Sequence, residues 1–293
     1  MGESARPRYP ILLVPGLLGF VRVAGFSYWG GIDVALQRQG ATVYPVRLSA
    51  LHDNEALGEQ LLVRIAGILA ASGASRVNLI GHSQGGLAAR YAAARCPAWV
   101  ASVTAVASPN RGSEVADLLH HRLQPDGRRE RLLAGAFEGV ARIMERLEGI
   151  GPRLPLDGPA SLLALSSEGM AAFNARYPQG LPKRWGGEGA EEVDGVRYYS
   201  WSGILQPQIE RGLRRLDPGH LLCRRLARLF QHEAGQNDGM VGRFSSHLGK
   251  VIGSNYPFDH LDIVNQRLGP VGLGADPVGL FVEHARRLAE AGL

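Results

Sequence analysis

The 293 residues suffice for one large domain or two small ones, and 45% hydrophobic with 20% charged residues is the balance of a soluble chain that buries a core. The formal charge is +5, and much of the excess is arginine, clustered at Arg128, Arg129 and Arg131 and again at Arg211, Arg214, Arg215, Arg224, Arg225 and Arg228. Few aromatics lie among them to stack on bases, so they read as solvated helix faces, and nucleic acid is not an expected partner. No apolar run approaches the ~18 residues of a membrane span. Cys96 and Cys223 sit in no ligand pattern and read as two free, partly buried thiols.

The first apolar run, "ILLVPGLLGFV" from Ile11, follows Arg6 and Arg8 and so has the outline of a signal peptide. Pro15, Gly16 and Gly19 punctuate it and no A-x-A-like cleavage site follows, so it is read as a buried strand and a loop. On that reading the chain is a mature form or carries no Sec signal. "TVYPVRL" (42–48) reads as the next strand. A helix is expected from about Asn54 to Ala71, apolar at Leu57, Leu61, Leu62, Ile65, Ile68 and Leu69. "RVNLIG" (76–81) is a strand that runs through "HSQGG" into a helix, and "VASVTAVAS" (100–108) is another strand. Strands alternating with helices of this length predict a mostly parallel sheet covered on both faces, an α/β architecture.

From about Ser113 to Glu168 the strand signal stops. Leu132, Leu133, Phe137, Val140, Ile143, Met144 and Leu147 recur at helical spacing, opposite Arg131, Glu138, Arg142, Glu145 and Arg146. An amphipathic helical insertion, 113–168, is expected there, as a lid or cap within a single domain spanning 1–293. The sheet resumes at 196–205 and 250–256, and a helix from Pro277 to Ala291 closes the chain.

"GHSQGG" has the form G-x-S-x-G at Gly81, Ser83 and Gly85. Alone the pattern is weak, but a strand leads into it and a helix leaves it. That context forces the serine into a strained turn with its hydroxyl exposed at the sheet edge. A serine hydroxyl needs a base, and the base an orienting acid, in the chain order Ser, acid, His. Of nine histidines, His260 arrives at the right sheet edge after the strand 250–256, while His82 is expected to point to the wrong side of the turn. Asp238, in the turn "QNDGMVG", is the favoured acid; Asp259 adjoins the histidine and would diverge from it, and Asp262 remains a competitor. An oxyanion hole needs two backbone N–H donors. Gln84, after the nucleophile, supplies one; Leu17 supplies the other, since Pro15 has no N–H.

Taken together, "YPILLVPGLLGF", "GEQLL", "RVNLIGHSQGG", "NDGMVG", "SSHLGKVIGSNY" and "HLDIVNQ" resemble the Pseudomonas-type bacterial triacylglycerol lipases, in register from Tyr9 to Leu288. The resemblance implies an α/β-hydrolase fold, a lid, and long-chain acyl esters as substrates at an oil–water interface. It places Ser83, Asp238 and His260 on the triad and Leu17 and Gln84 on the oxyanion hole. It also implies one structural Ca²⁺ ion held by Asp217, Asp262, Gln266 and the carbonyl of Pro270, a hard-oxygen set that suits this cation. Secretion and a monomer are expected, with a cytoplasmic location as the alternative.

Two departures from the family pattern stand out. Pro15-Gly16 replaces the usual His-Gly, which stiffens the oxyanion loop. The disulfide of many members would join the segments at Gly186 and Phe244, and both cysteines are absent together, which puts a dedicated foldase in doubt. The alternatives are an esterase or polyester hydrolase with the same triad, and a non-catalytic acyl-binding module of the same fold. The module's expected signature, an eroded triad, is missing from the sequence.

Overall fold

A computed structural model describes residues 6–23, 25–123, 154–205, 217–266 and 276–293, together with 135, 138, 139, 141–143 and 146. The strands, in chain order, are β1 (Ile11–Val14), β2 (Arg22–Val23), β3 (Phe26–Ser27), β4 (Val43–Pro45), β5 (Val77–His82), β6 (Val100–Val106), β7 (Glu192–Val193), β8 (Val196–Gly203) and β9 (Lys250–Tyr256). Seven of them form one sheet in the order β4-β1-β5-β6-β8-β7, with β9 also paired to β8. Every pairing in it is parallel except that of β7 with β8. β2 and β3 form a separate antiparallel hairpin.

Every residue of β1, β5 and β6 is buried, which is why these strands read as unbroken apolar runs rather than alternating ones. Two apolar layers cover the sheet. One gathers Trp29, Ile32, Leu36, Phe281 and Leu288 beneath the helices Ile32–Arg38 and Pro277–Glu290. The other gathers Leu57, Leu61, Ile65, Ala88 and Ala92 beneath Asn54–Ser72 and Gln84–Arg95. The Asn54 helix begins where Asp53 caps the amides of Glu55 and Ala56, and stops at Gly73 in a left-handed conformation. β4 is shorter than the expected 42–48. Pro45, opposite Leu13, cannot donate to a ladder, and it is tolerated because β4 is an edge strand.

Within 113–168 the described helices are Glu114–Leu123 and Gly158–Leu165, followed at once by Ser167–Arg176, so helical structure runs past the expected boundary. Leu132, Leu133, Phe137, Val140, Met144 and Leu147 lie outside the described residues. Ala141 is fully buried with Ala50 and Leu51, against Leu17, Leu18 and Leu156. Ile143, expected on the same apolar face, is 58% exposed instead. Two residues along a helix is about 200° of rotation, so burying Ala141 turns Ile143 outward.

Cys96 and Cys223 are free. Gly186 has φ +72°, and a Cβ added to it would meet the Phe244 ring at 3.1 Å, so these two positions are neighbours in space.

Candidate active site

β5 delivers Ser83 to the C-terminal edge of the sheet, and the helix Gln84–Arg95 leaves at once. The turn between them holds Ser83 at φ 53°, ψ −126°, a positive φ that a non-glycine residue adopts only under constraint. The constraint is visible on both sides. A Cβ on Gly81 would lie 2.4 Å from the Gly86 nitrogen, and one on Gly85 would lie 2.3 Å from the Val14 carbonyl oxygen. Glycines flank the serine because strand, helix and the end of β1 pass too closely for side chains. The Ser83 amide donates to the Val106 carbonyl at 2.9 Å, which ties the turn to β6.

The loop after β1 closes over the serine. A Cβ on Gly16 would lie 2.7 Å from that of Ser83. Within this loop the Gly16 amide donates to the Tyr28 hydroxyl at 2.8 Å and the Leu18 amide donates to the Ala50 carbonyl at 2.8 Å. The Leu17 amide between them finds no partner among the described residues. Leu18 itself sits at φ 54°, strain that keeps the loop tightly turned. Gln84 opens its helix, so no preceding turn accepts from its amide. Its side chain is engaged elsewhere, donating to the His52 carbonyl at 2.8 Å and to Asn54 Oδ1 at 3.1 Å. Two backbone donors therefore remain beside Ser83, on Leu17 and Gln84.

His260 and Asp238 meet across separate loops. His260 Nδ1 lies 2.7 Å from Asp238 Oδ2, and the His260 amide donates to the Asp238 carbonyl at 3.0 Å. Asp238 Oδ1 accepts from the amides of Met240 (2.9 Å) and Val241 (2.7 Å), so the carboxylate is fixed at both oxygens. A carboxylate only accepts in this contact, so the imidazole proton sits on Nδ1 and the lone pair on Nε2. That tautomer can take a proton.

His82, expected to point to the wrong side of the turn, packs its ring 4.7 Å from that of His260. His82 Nε2 lies 3.0 Å from the His260 carbonyl and Nδ1 lies 2.6 Å from the Tyr28 hydroxyl. Burial, then the nearby His260, holds His82 well below the ordinary histidine range, so it is neutral. Burial likewise pushes the Tyr28 phenol upward, against the opposing effect of the Gly16 amide. No local signal announced Tyr28, which is 54 residues from His82 in the chain.

Asp259 does diverge from His260, and its partner is a residue that sequence reasoning missed. Asp259 Oδ2 lies 2.8 Å from His220 Nδ1, and Oδ1 accepts the amides of Leu261 and Asp262. Burial raises the Asp259 carboxyl, but the His220 ring and these amides outweigh it and hold the group below its usual value. Asp262, the competing acid, lies not on His260 but in a buried group with His220 and Asp259, their ligand-type atoms within 4.8 Å of one another. Asp217 caps the helix Pro218–Ala227 through the amides of Gly219 and His220. Asp217 and Gln266 line one groove of about 510 Å³ with Leu261 and Asn265. The Gln266 side chain donates to the Tyr28 carbonyl at 2.9 Å, and Pro270 lies outside the described residues. Cys223, packed beneath Gly239 beside the acid, has its thiol pushed well up by burial and then by Asp259 and Asp238, which makes it unreactive.

Comparison with known proteins gives the same architecture. A family profile described as the alpha/beta hydrolase fold matches residues 9–207. A triacylglycerol lipase of Pseudomonas fragi is 49% identical, covering 100% of both chains. One of Vibrio cholerae is 44% identical over 98% of this chain and 89% of its own length. A solved structure, the mature lipase of Bacillus licheniformis, superposes with a TM-score of 0.61 at 19% identity, over 92% of this chain and 90% of that one, and bears on the fold alone. The chain belongs to the bacterial triacylglycerol lipase family, enzymes of the α/β-hydrolase fold.

Proposed function

We propose that the chain hydrolyses medium- and long-chain acylglycerols through an acyl-enzyme on Ser83. The observation that carries this is the buried His260–Asp238 pair, 2.7 Å apart, packed against the ring of His82, the residue before a serine held at positive φ at a strand–helix turn. Ser83 Oγ attacks the acyl carbonyl while His260 Nε2 takes its proton. The amides of Leu17 and Gln84 receive the negative charge that develops on the carbonyl oxygen. Collapse expels the alcohol, which takes its proton back from His260. Water activated by the same nitrogen then releases the fatty acid. Asp238 stabilises the imidazolium and holds its orientation throughout.

The insertion 113–168 acts as a lid in this reading. Ala141 buries itself against Leu17 and Leu18, so the insertion rests on the oxyanion loop. Turnover should rise once an ester exceeds its solubility limit; a flat response makes the insertion a fixed cover.

Asp217, Asp262 and Gln266, with the Pro270 carbonyl, offer the oxygen donors that a Ca²⁺ ion takes. They fit in chemistry, because Asp217 is buried at a groove that it lines with Gln266, and Asp262 is buried on the loop of His260 whose Leu261 lines the same groove. Such an ion would brace that loop and take no part in the chemistry. Among the described residues no helix is long and apolar enough to cross a membrane. The enzyme in this reading is secreted, works as a monomer on emulsified substrate, and folds without a dedicated foldase.

The test is direct. Ser83→Ala should abolish labelling by a hydrophobic fluorophosphonate and lower ester turnover by about 10⁴-fold or more with the fold intact. A variant retaining a tenth of the activity would reject the elbow. A chain-length series of p-nitrophenyl esters beside emulsified triglyceride separates a lipase from an esterase.

A further inference from the structure

Two buried side chains beside Ser83 have no part in these proton transfers, yet their hydrogen-bond roles are fully determined. The His260 carbonyl can only accept, so His82 Nε2 carries the proton that reaches it at 3.0 Å. The neutral ring then has a bare Nδ1, which must accept, so the Tyr28 hydroxyl donates to it at 2.6 Å. The phenol oxygen is left to accept, and the Gly16 amide donates to it at 2.8 Å. The chain of donors therefore runs in one direction, from Gly16 through Tyr28 and His82 to the backbone of His260. One end is the residue before the Leu17 amide, and the other is the backbone of the general base.

We infer that Tyr28 and His82 are positioning residues, a hydrogen-bonded tether that sets the oxyanion loop and the loop of the base in one register about Ser83. The inference rests on the triad and oxyanion assignments proposed above. Each element of the tether is itself held. The Tyr28 amide donates to the Val21 carbonyl, its ring packs edge-on against Phe20 and Trp29, and the Tyr28 carbonyl accepts from Gln266. Tyr28 is 4% exposed and His82 1%, so water cannot replace a lost partner. Pro15 has no amide and Leu18 is anchored on the far side, which leaves Tyr28 as the only side chain found to hold the Gly16 end among the described residues. Reaction geometry is sensitive to this: a displacement of about 1 Å can cost on the order of 10²-fold in rate.

Tyr28→Phe removes one oxygen atom and breaks the tether at its middle. Rates are to be measured per active site, titrated with a fluorophosphonate, on a soluble ester and on its thiono analogue, in which sulfur replaces the carbonyl oxygen. A well-placed oxyanion hole accelerates the oxygen ester far more than the thiono ester, so the ratio of the two rates reports on the hole and not on the amount of folded enzyme. Tyr28→Phe should lower kcat on the oxygen ester about 10- to 100-fold, leave KM within about twofold, and shrink the oxygen-to-sulfur ratio. His82→Leu should do the same, and the double variant should be no slower than the slower single one, since both cut one chain. An unchanged ratio, equal losses on both esters, or additive losses would overturn the inference. If neither single variant yields titratable sites, the pair is a folding element and the inference also fails. A wild-type enzyme that does not prefer oxygen over sulfur would instead reject the oxyanion assignment itself.

Discussion

Two histidine–aspartate pairs lie side by side in this protein, and their contacts are nearly the same. His260 Nδ1 stands 2.7 Å from Asp238, and His220 Nδ1 stands 2.8 Å from Asp259. In each, the second carboxylate oxygen accepts two backbone amides, Met240 and Val241 in one case, Leu261 and Asp262 in the other. The difference is in the far nitrogen of the ring. His260 stands beside the serine turn, against the ring of His82. His220 Nε2 is sealed in the interior with no hydrogen-bond partner among the described residues. A charge-relay geometry is therefore not itself a mark of catalysis. In the function proposed above, what the free nitrogen faces decides whether such a pair moves protons or holds a loop.

The largest expected effect separates the pairs directly. Asp238→Ala should lower kcat about 10⁴-fold, because the base loses both its tautomer and its orientation. Asp259→Ala should leave kcat per titrated site within about tenfold of wild type and cost about 2 kcal/mol of stability, the penalty of an unpaired buried group. Matching kcat losses, measured on titrated sites, would erase the distinction.

Calcium sharpens it next. If Asp217 and Asp262 hold the ion, a free concentration a hundredfold above its dissociation constant adds about 2.7 kcal/mol to the folded state. Chelation should lower the melting temperature and reduce activity, with calcium restoring both better than magnesium. Asp262→Asn should resemble the chelated protein, stop responding to calcium, and stay well above Asp238→Ala in turnover. Verified metal-free protein with unchanged melting would refute the site.

His284 supplies a third case, a buried histidine with no carboxylate partner among the described residues. Its Nε2 contacts Thr104 Oγ1 at 2.8 Å, and burial, then Arg287, brings its pKa down from 6.5 to about 3. The unfolded chain takes up a proton below about pH 6.5 while the folded chain does not, so stability is intact above that value. It falls as the pH drops toward 3 and then levels. The slope from this one group is at most about 1.4 kcal/mol per pH unit. Denaturant unfolding of wild type and His284→Leu across that window should show the variant with the shallower dependence; identical slopes would show that His284 titrates normally.

The parts of the molecule differ in how plainly the sequence announces them. The helix from Asn54 was legible because its apolar residues recur with helical period, a local feature. The serine turn was legible because its glycines answer a local crowding of strand and helix. Asp238 was favoured because a rigid turn holds its carboxylate, with Asp262 left as a competitor until the family resemblance pointed to Asp238, and Asp238 is the acid found against the His260 ring. The hairpin Arg22–Ser27 was not legible, since two-residue strands carry no periodicity. His220 and Tyr28 were missed because their partners lie 39 and 54 residues away and nothing nearby marks them. The contact of His82 with the His260 carbonyl was not legible for a related reason: no sequence pattern encodes a bond to a backbone carbonyl.

The contact between Gly186 and Phe244 bears on the conditions under which the chain can mature. Where the family resemblance would put a sulfur–sulfur link, this protein places a left-handed glycine under an aromatic ring, a Cβ there meeting the ring at 3.1 Å. A packed ring needs no electron acceptor to form, and no reductant can undo it. With Cys96 and Cys223 both free, no disulfide ties the folded state to redox potential. Melting should be the same with and without a thiol reductant, and active enzyme should accumulate as readily in a reducing compartment as in an oxidising one.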